Sequence, residues 1–227
     1  PETVDEAVKL LQGADGDARI LAGGTDLLVQ LRAHMIDPGV IVDIKSIAET
    51  RELTKNDDGS YTIGAAVAGA EAHERDDITA DWPGVIEAWD LIGSTQIQGR
   101  ASLGGNLCNA SPAGDSVPAM VAAGMIANIA GPEGRRTLPV EKITAGPGKT
   151  NLKKGEFIVS FNLPAKPSNG GDAYLRLIPR TEMDIAVVGC GAALTLDESG
   201  TVTSAKISLG AVAATVLVVE DAAKAII

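Results

Sequence analysis

The chain has 227 residues, 45% of them hydrophobic, a formal net charge of −11 at pH 7 and only two cysteines, Cys108 and Cys190. Length and apolar content suffice for a real core. The acidic balance argues against nucleic acid or an anionic membrane as the main partner, and two cysteines exclude a disulfide framework or a structural zinc site. No apolar run approaches the roughly 18 residues of a membrane span. The first residues show no basic and apolar leader pattern, so the expected compartment is the cytoplasm. With 26 glycines and 3% aromatics, backbone more than rings is expected to do the binding.

In chain order, Thr3 and Glu6 form a capping box for a helix whose stripe is Val4, Ala7, Val8, Leu10 and Leu11, ending at Gly13. Residues 18–22 read as a short strand entering Gly23-Gly24-Thr25-Asp26, after which Leu27, Leu28, Leu31 and Met35 fall at helical spacing. A strand, glycine turn and helix start in succession aim free N–H groups at one spot, the physics of a pyrophosphate site; the same pattern also serves as a plain tight turn with Asp26 as a cap. Strands follow at 40–44 and 61–67, with the turn Asn56-Asp57-Asp58-Gly59 before the second. A helical apolar face (Val85, Ile86, Trp89, Ile92) comes next. His34 and His73 lack ligand-spaced partners in the sequence and read as surface or satisfied histidines.

Residues 92–115, from Ile92 to Asp115, are polar and glycine-rich and read as a long functional loop. Gly104-Gly105 allows close backbone approach, Ser94, Thr95, Ser102, Asn106, Asn109 and Ser111 supply neutral donors, and Asp115 closes the run. Such a set suits a phosphate or pyrophosphate, with the carboxylate on a ribose hydroxyl or ring N–H. Cys108 beside it reads as a small buried filler rather than a redox thiol. Beyond it, 117–129 read as helix then strand with a break at Gly124, and Gly131-Pro132-Glu133-Gly134 is a hairpin turn. The string at 144–150 imitates a P-loop, but Ile143 stands where its first glycine belongs and Pro147 removes an N–H, so nucleotide triphosphatase chemistry is rejected. Residues 156–163 alternate like a strand and 164–171 read as a linker. Three strands at 173–178, 185–196 and 202–212, with the turn Asp197-Glu198-Ser199-Gly200, predict a small antiparallel sheet, and a helix starts at 219.

The strings at 22–26, at 102–106 with 111–115, and at 180–188 (Arg180-Thr181-Glu182-Met183-Asp184-Ile185-Ala186-Val187-Val188) resemble, in order and over nearly the whole chain, the FAD-binding medium subunit of the molybdenum hydroxylases. These are relatives of the flavin domain of xanthine dehydrogenase, aldehyde oxidase and aerobic carbon monoxide dehydrogenase. The resemblance implies an α+β fold of the vanillyl-alcohol-oxidase (PCMH) type: an FAD-binding domain at 1–170, with subdomains at about 1–55 and 56–170, and a C-terminal domain at 171–227 that looks truncated. It further implies that Leu21, Ala22, Gly23, Gly24, Thr25 and Asp26 face Ser102, Leu103, Gly104, Gly105 and Asn106 across the pyrophosphate. Leu107 would lie close to the isoalloxazine, Asp115 near the cofactor, and Ile158 against flavin or adenine. Arg176 would stand where relatives carry a lysine that contacts the flavin. Where many members read Ile-Arg-Asn, this chain has Ile97-Gln98-Gly99, and two cysteines are too few for the iron–sulfur insertion of the benzoyl-CoA reductase branch.

The implied role is an electron-transfer oxidoreductase subunit without a catalytic acid, base or metal of its own. It would take electrons from the [2Fe–2S] small subunit, which receives them from a molybdopterin large subunit, and pass them through FAD to NAD+, oxygen or another acceptor. A stand-alone flavin-dependent oxidoreductase of the same fold and a non-enzymatic binding protein with degenerate loops are the alternatives.

Overall fold

The computed structural model describes residues 1–181 and 183–227; Glu182, within the string at 180–188, lies outside the described residues. Helix α1 (Val4–Gln12) starts at Thr3, whose Oγ1 accepts from the Glu6 N–H at 3.2 Å. The reciprocal half of the capping box is displaced by one residue, because the Glu6 carboxylate accepts from the Glu2 N–H at 2.8 Å. Strand β1 (Ala18–Leu21), helix α2 (Leu27–Arg32) and strand β2 (Val40–Asp43) follow, with β1 and β2 paired in parallel, Ala18 opposite Val40. A parallel pair needs a crossover, and the glycine turn with α2 provides it. Val4, Ala7 and Leu11 of α1 close a small core with Val42, Ile44 and Ile47.

Strands β3 (Leu53–Lys55) and β4 (Tyr61–Gly64) are joined by the expected turn, in which the Gly59 N–H donates to the Asn56 carbonyl at 2.9 Å. Helices α3 (Gly69–His73), α4 (Asp76–Asp81), α5 (Pro83–Asp90), α6 (Thr95–Gln98), α7 (Leu103–Asn109) and α8 (Ser116–Ala122) come next. The run at 92–115 is therefore not one long loop: α6 and α7 lie inside it. Ser102 caps α7, its Oγ accepting from the Gly105 N–H at 3.1 Å. Gly104 sits where a Cβ would come 2.5 Å from the Ala65 carbonyl oxygen, so its glycine is a packing requirement inside a helix and not a sign of loop.

Strands β5 (Ile126–Gly131) and β6 (Gly134–Pro139) form the predicted hairpin, with Gly131 opposite Gly134. Residues 144–150 make a small ribbon of β7 (Thr144–Gly146) and β8 (Lys149–Thr150) with no helix after Lys149, in keeping with the rejected P-loop. Strand β9 (Phe157–Leu163) is central in an antiparallel sheet ordered β3-β4-β9-β5-β6. Its side chains alternate between two covered faces, and a register shift against Asn128 and Ile129, between Ile158 and Ser160, swaps the alternation partway along. Phe157 and Val159 complete the small core, while Ile158, Phe161 and Leu163 join Tyr61, Trp89, Leu103, Leu107 and Met120 in the main one. Because β3 belongs to this sheet, the small parallel unit ends ahead of Leu53.

The C-terminal sheet contains the three expected strands, β10 (Gly170–Leu177), β11 (Val188–Leu196) and β12 (Val202–Gly210), and a short fourth, β13 (Leu217–Val218), before helix α9 (Glu220–Ala225). Its inner face rests on α5 and α8, where Tyr174, Ala88 and Ala119 are buried together. Among the described residues no helix is long and apolar enough to cross a membrane, and no cluster of His, Cys, Asp or Glu is arranged to hold a metal ion.

Candidate cofactor cleft

A cleft of about 480 Å³ opens where the turn after β1 meets the start of α7, with β9 as part of its floor. Ala22, Gly23, Gly24, Thr25 and Asp26 line one wall, Ser102, Gly104, Gly105 and Asn106 the other, and Ile158 the floor. The two walls touch at Gly23, where a Cβ would overlap the Arg100 carbonyl oxygen, and the Arg100 Nε donates to the Gly23 carbonyl at 3.3 Å. Gly24 has φ of +83°, a left-handed conformation that L side chains rarely adopt, and that bend turns β1 into α2. The dipeptide thus needs both glycines for different reasons: one for close approach, one for φ.

Among the described residues, the backbone N–H groups of Gly23, Gly24, Thr25 and Asp26 have no acceptor in the protein, nor do those of Leu103 and Gly104 in the first turn of α7. Both helices are short, so the bare N–H groups matter more than any helix dipole. Asp26 makes no capping hydrogen bond, and partial desolvation raises its carboxyl from its ordinary value. Asn106 Oδ1 is occupied by the Ser116 N–H at 3.3 Å and the Ser116 Oγ at 2.7 Å, leaving its amide N–H groups for the cleft. Unpaired amides on both sides, the Asp26 carboxylate and an apolar floor of Ile20, Ile36, Leu152 and Ile158 match an extended ligand with a pyrophosphate, hydroxyls and flat rings. The residues present therefore fit FAD.

Five of the expected contacts stand elsewhere. Leu21 belongs to β1 and is half-buried beside the cleft without lining it. Leu103 and Leu107 are both 0% exposed in the main core. They lie four residues apart on α7 and so share its inner face, which corrects the placement of Leu107 beside a ring. Asp115 and Arg176 meet at the seam between α8 and β10, with 3.0 Å between Asp115 Oδ2 and Arg176 Nη1 and side chains 13% and 9% exposed. The Tyr174 hydroxyl donates to Asp115 Oδ1 at 3.0 Å, and Arg176 donates to the Leu91 carbonyl at 3.2 Å, next to Ile92 on the cleft rim. Burial raises the Asp115 carboxyl against the opposing pull of Arg176, and burial drives the Tyr174 hydroxyl upward.

Cys108 is half-buried and lines the cleft, and burial pushes its thiol up to about 12, away from the thiolate that redox chemistry needs. His73 has a partner that its sequence neighbourhood conceals, Asp90, 2.6 Å from Nδ1, and remains a surface residue. Sequence reasoning missed Gln30, Gly148 and Thr150 on the cleft walls, while Asn109, read as a donor of the 92–115 run, does line them. Gly148 arrives because the β7–β8 ribbon folds beside α7, its N–H donating to the Ala110 carbonyl at 3.0 Å, a long-range event without local signal. Gln98, the unusual residue ahead of Gly99, donates to the Asp90 carbonyl and ties α6 to α5.

A model of the FAD-binding domain in molybdopterin dehydrogenase matches residues 1–166, and one of the CO dehydrogenase flavoprotein C-terminal domain matches residues 173–227. The chain is 35% identical over 215 residues to the xanthine dehydrogenase FAD-binding subunit of Escherichia coli O157:H7, spanning 94% of this chain and 73% of that protein. It is 33% identical over 218 residues to the carbon monoxide dehydrogenase medium chain of Hydrogenophaga pseudoflava, spanning 96% and 75%. Reconstituted CO dehydrogenase from Oligotropha carboxidovorans matches the fold with a TM-score of 0.93 at 30% identity, covering 100% of this chain and 78% of that one. With both family models matched in order along the chain and relatives of 33–35% identity covered to about three quarters, the chain belongs to the FAD-binding medium subunits of the molybdenum hydroxylases, a family of oxidoreductase flavoproteins.

Proposed function

We propose that the cleft between the Gly23–Asp26 turn and the start of α7 holds the FAD, and that the chain serves as the electron-relay subunit of a heteromeric molybdenum hydroxylase. Bound FAD supplies the capacity to take up and give out electrons one or two at a time. The chain's own residues place and shield it. The unpaired amides of residues 23–26 and of α7 take the pyrophosphate, Asp26 accepts from a ligand hydroxyl, and Ile158 provides an apolar platform. Arg176, one residue behind the rim at Ile92, fixes the C-terminal domain against the cleft while Asp115 offsets its charge.

In this reading a small subunit with [2Fe–2S] clusters delivers electrons drawn from a molybdopterin large subunit, and NAD+, oxygen or another acceptor removes them, in the cytoplasm. The relatives' names support the complex, since one is a medium chain and another an FAD-binding subunit. The observation that carries the site is the contact of Gly23 with Arg100, which brings two sets of unpaired amides onto one cleft. Native purification tests it. Co-purification of an iron–sulfur and a molybdopterin subunit with visible flavin absorption is expected; a colourless chain that FAD cannot reconstitute would defeat the reading.

A further inference from the structure

Gln30 on α2 and Asn109 at the end of α7 face each other across the cleft, Gln30 Nε2 donating to Asn109 Oδ1 at 3.2 Å. Helix α2 buries none of its residues, so core packing does not set its position over the cleft. Among the described residues, this is also the one side-chain hydrogen bond that α2 makes. The bond uses one donor group and one acceptor. Among the described residues, it leaves Gln30 Oε1 and the Asn109 Nδ2 hydrogens without a protein partner, on two residues that line the cleft. Turning both amides over would still leave one carbonyl oxygen and one NH₂ free. A half-buried, hydrogen-bonded amide pair with one spare acceptor and one spare donor is complementary to a ligand edge that carries a donor beside an acceptor.

We propose that Gln30 and Asn109 form a clasp that reads such a cis-amide-like edge of the bound cofactor. This rests on the cleft being the FAD site. FAD carries that edge at two places, the pyrimidine ring of the isoalloxazine and the amino edge of adenine. By closing over the ligand the clasp also holds α2 in place, so that ligand and helix order each other.

The test is a calorimetric titration of the deflavinated chain, with its co-purifying subunits, using FAD, ADP-ribose and FMN. Gln30→Ala and Asn109→Ala are each expected to weaken FAD about tenfold, the worth of roughly one hydrogen bond, without moving the melting temperature of the deflavinated protein. A loss shared with ADP-ribose and absent with FMN assigns the adenine edge, and the reverse assigns the isoalloxazine edge. FAD affinity within twofold of wild type in both variants overturns the clasp, as does an equal loss for both fragments. Gly23→Val separates the two levels: if it abolishes FAD binding while the clasp variants bind normally, only the clasp fails. If it keeps FAD, the cleft and the clasp fail together.

Discussion

The cleft and the domain seam are built from opposite materials. The cleft walls approach each other through neutral backbone, with unpaired amides of residues 23–26 and 103–104 and glycines at the points of closest approach, and Asp26 stands beside them. The seam is a buried ion pair, Asp115 with Arg176, closed by the Tyr174 hydroxyl. A backbone cradle arrives with its dipoles fixed and has no charge to desolvate, so it can be left open for a ligand. A buried charge left unpaired is expensive, and here the chain satisfies each charge with the other, so the seam is closed while the amides of the cleft stay free.

Variants on the two sides should therefore fail differently. Gly23→Val is expected to have the largest effect, because its side chain must displace the Arg100 carbonyl: about a thousandfold weaker FAD binding, or ~4 kcal/mol, by equilibrium titration. Arg176→Ala leaves the Asp115 carboxylate buried and unpaired, at a cost of about 3 kcal/mol, which lowers the melting temperature by roughly 6–12 °C. The double variant Asp115→Leu/Arg176→Met should recover much of that loss, since no charge remains to be stranded.

A smaller effect concerns acid. Hydrogen bonds from Arg136 hold Glu156 below its ordinary value of 4.5. The ionised carboxylate therefore adds stability above the unfolded value, and that stability is lost as pH falls through the lower folded value. Thermal melts taken from pH 6 downward should show wild type losing stability below about pH 4.5, with a shallower decline in Glu156→Gln. The smallest effect is expected of Cys108→Ala, whose FAD affinity stays within about twofold of wild type because a small neutral side chain replaces a small neutral one; a larger change would give Cys108 a part in binding.

What was legible in the sequence was local. Thr3 with Glu6, the Gly131–Gly134 hairpin and the Gly23–Gly24 turn announce themselves within a few residues, because caps and turns are made by neighbours. The family resemblance added the order of the motifs. Helix α7 was missed because its glycines were taken for loop chemistry, whereas Gly104 answers to Ala65, a residue far away in sequence. Leu103 and Leu107, spaced by one helical turn, were the available signal for it. Gln30 with Asn109, and Gly148 beside α7, are brought together by folding alone, and single-sequence pattern reading has no access to them. Asp115 was read as the end of a motif and Arg176 as a family position, but not as partners of each other, since 61 residues separate them.

The central claim is that neutral backbone at Gly23 holds the cofactor while the charged seam holds the domains. One titration decides it: FAD added to deflavinated Gly23→Val and to deflavinated Arg176→Ala, at a temperature where circular dichroism shows both folded. Gly23→Val is predicted to show no saturable binding at concentrations that fill wild type, and Arg176→Ala to bind within about tenfold of wild type. Full flavin occupancy in Gly23→Val, with binding lost in Arg176→Ala, would contradict it.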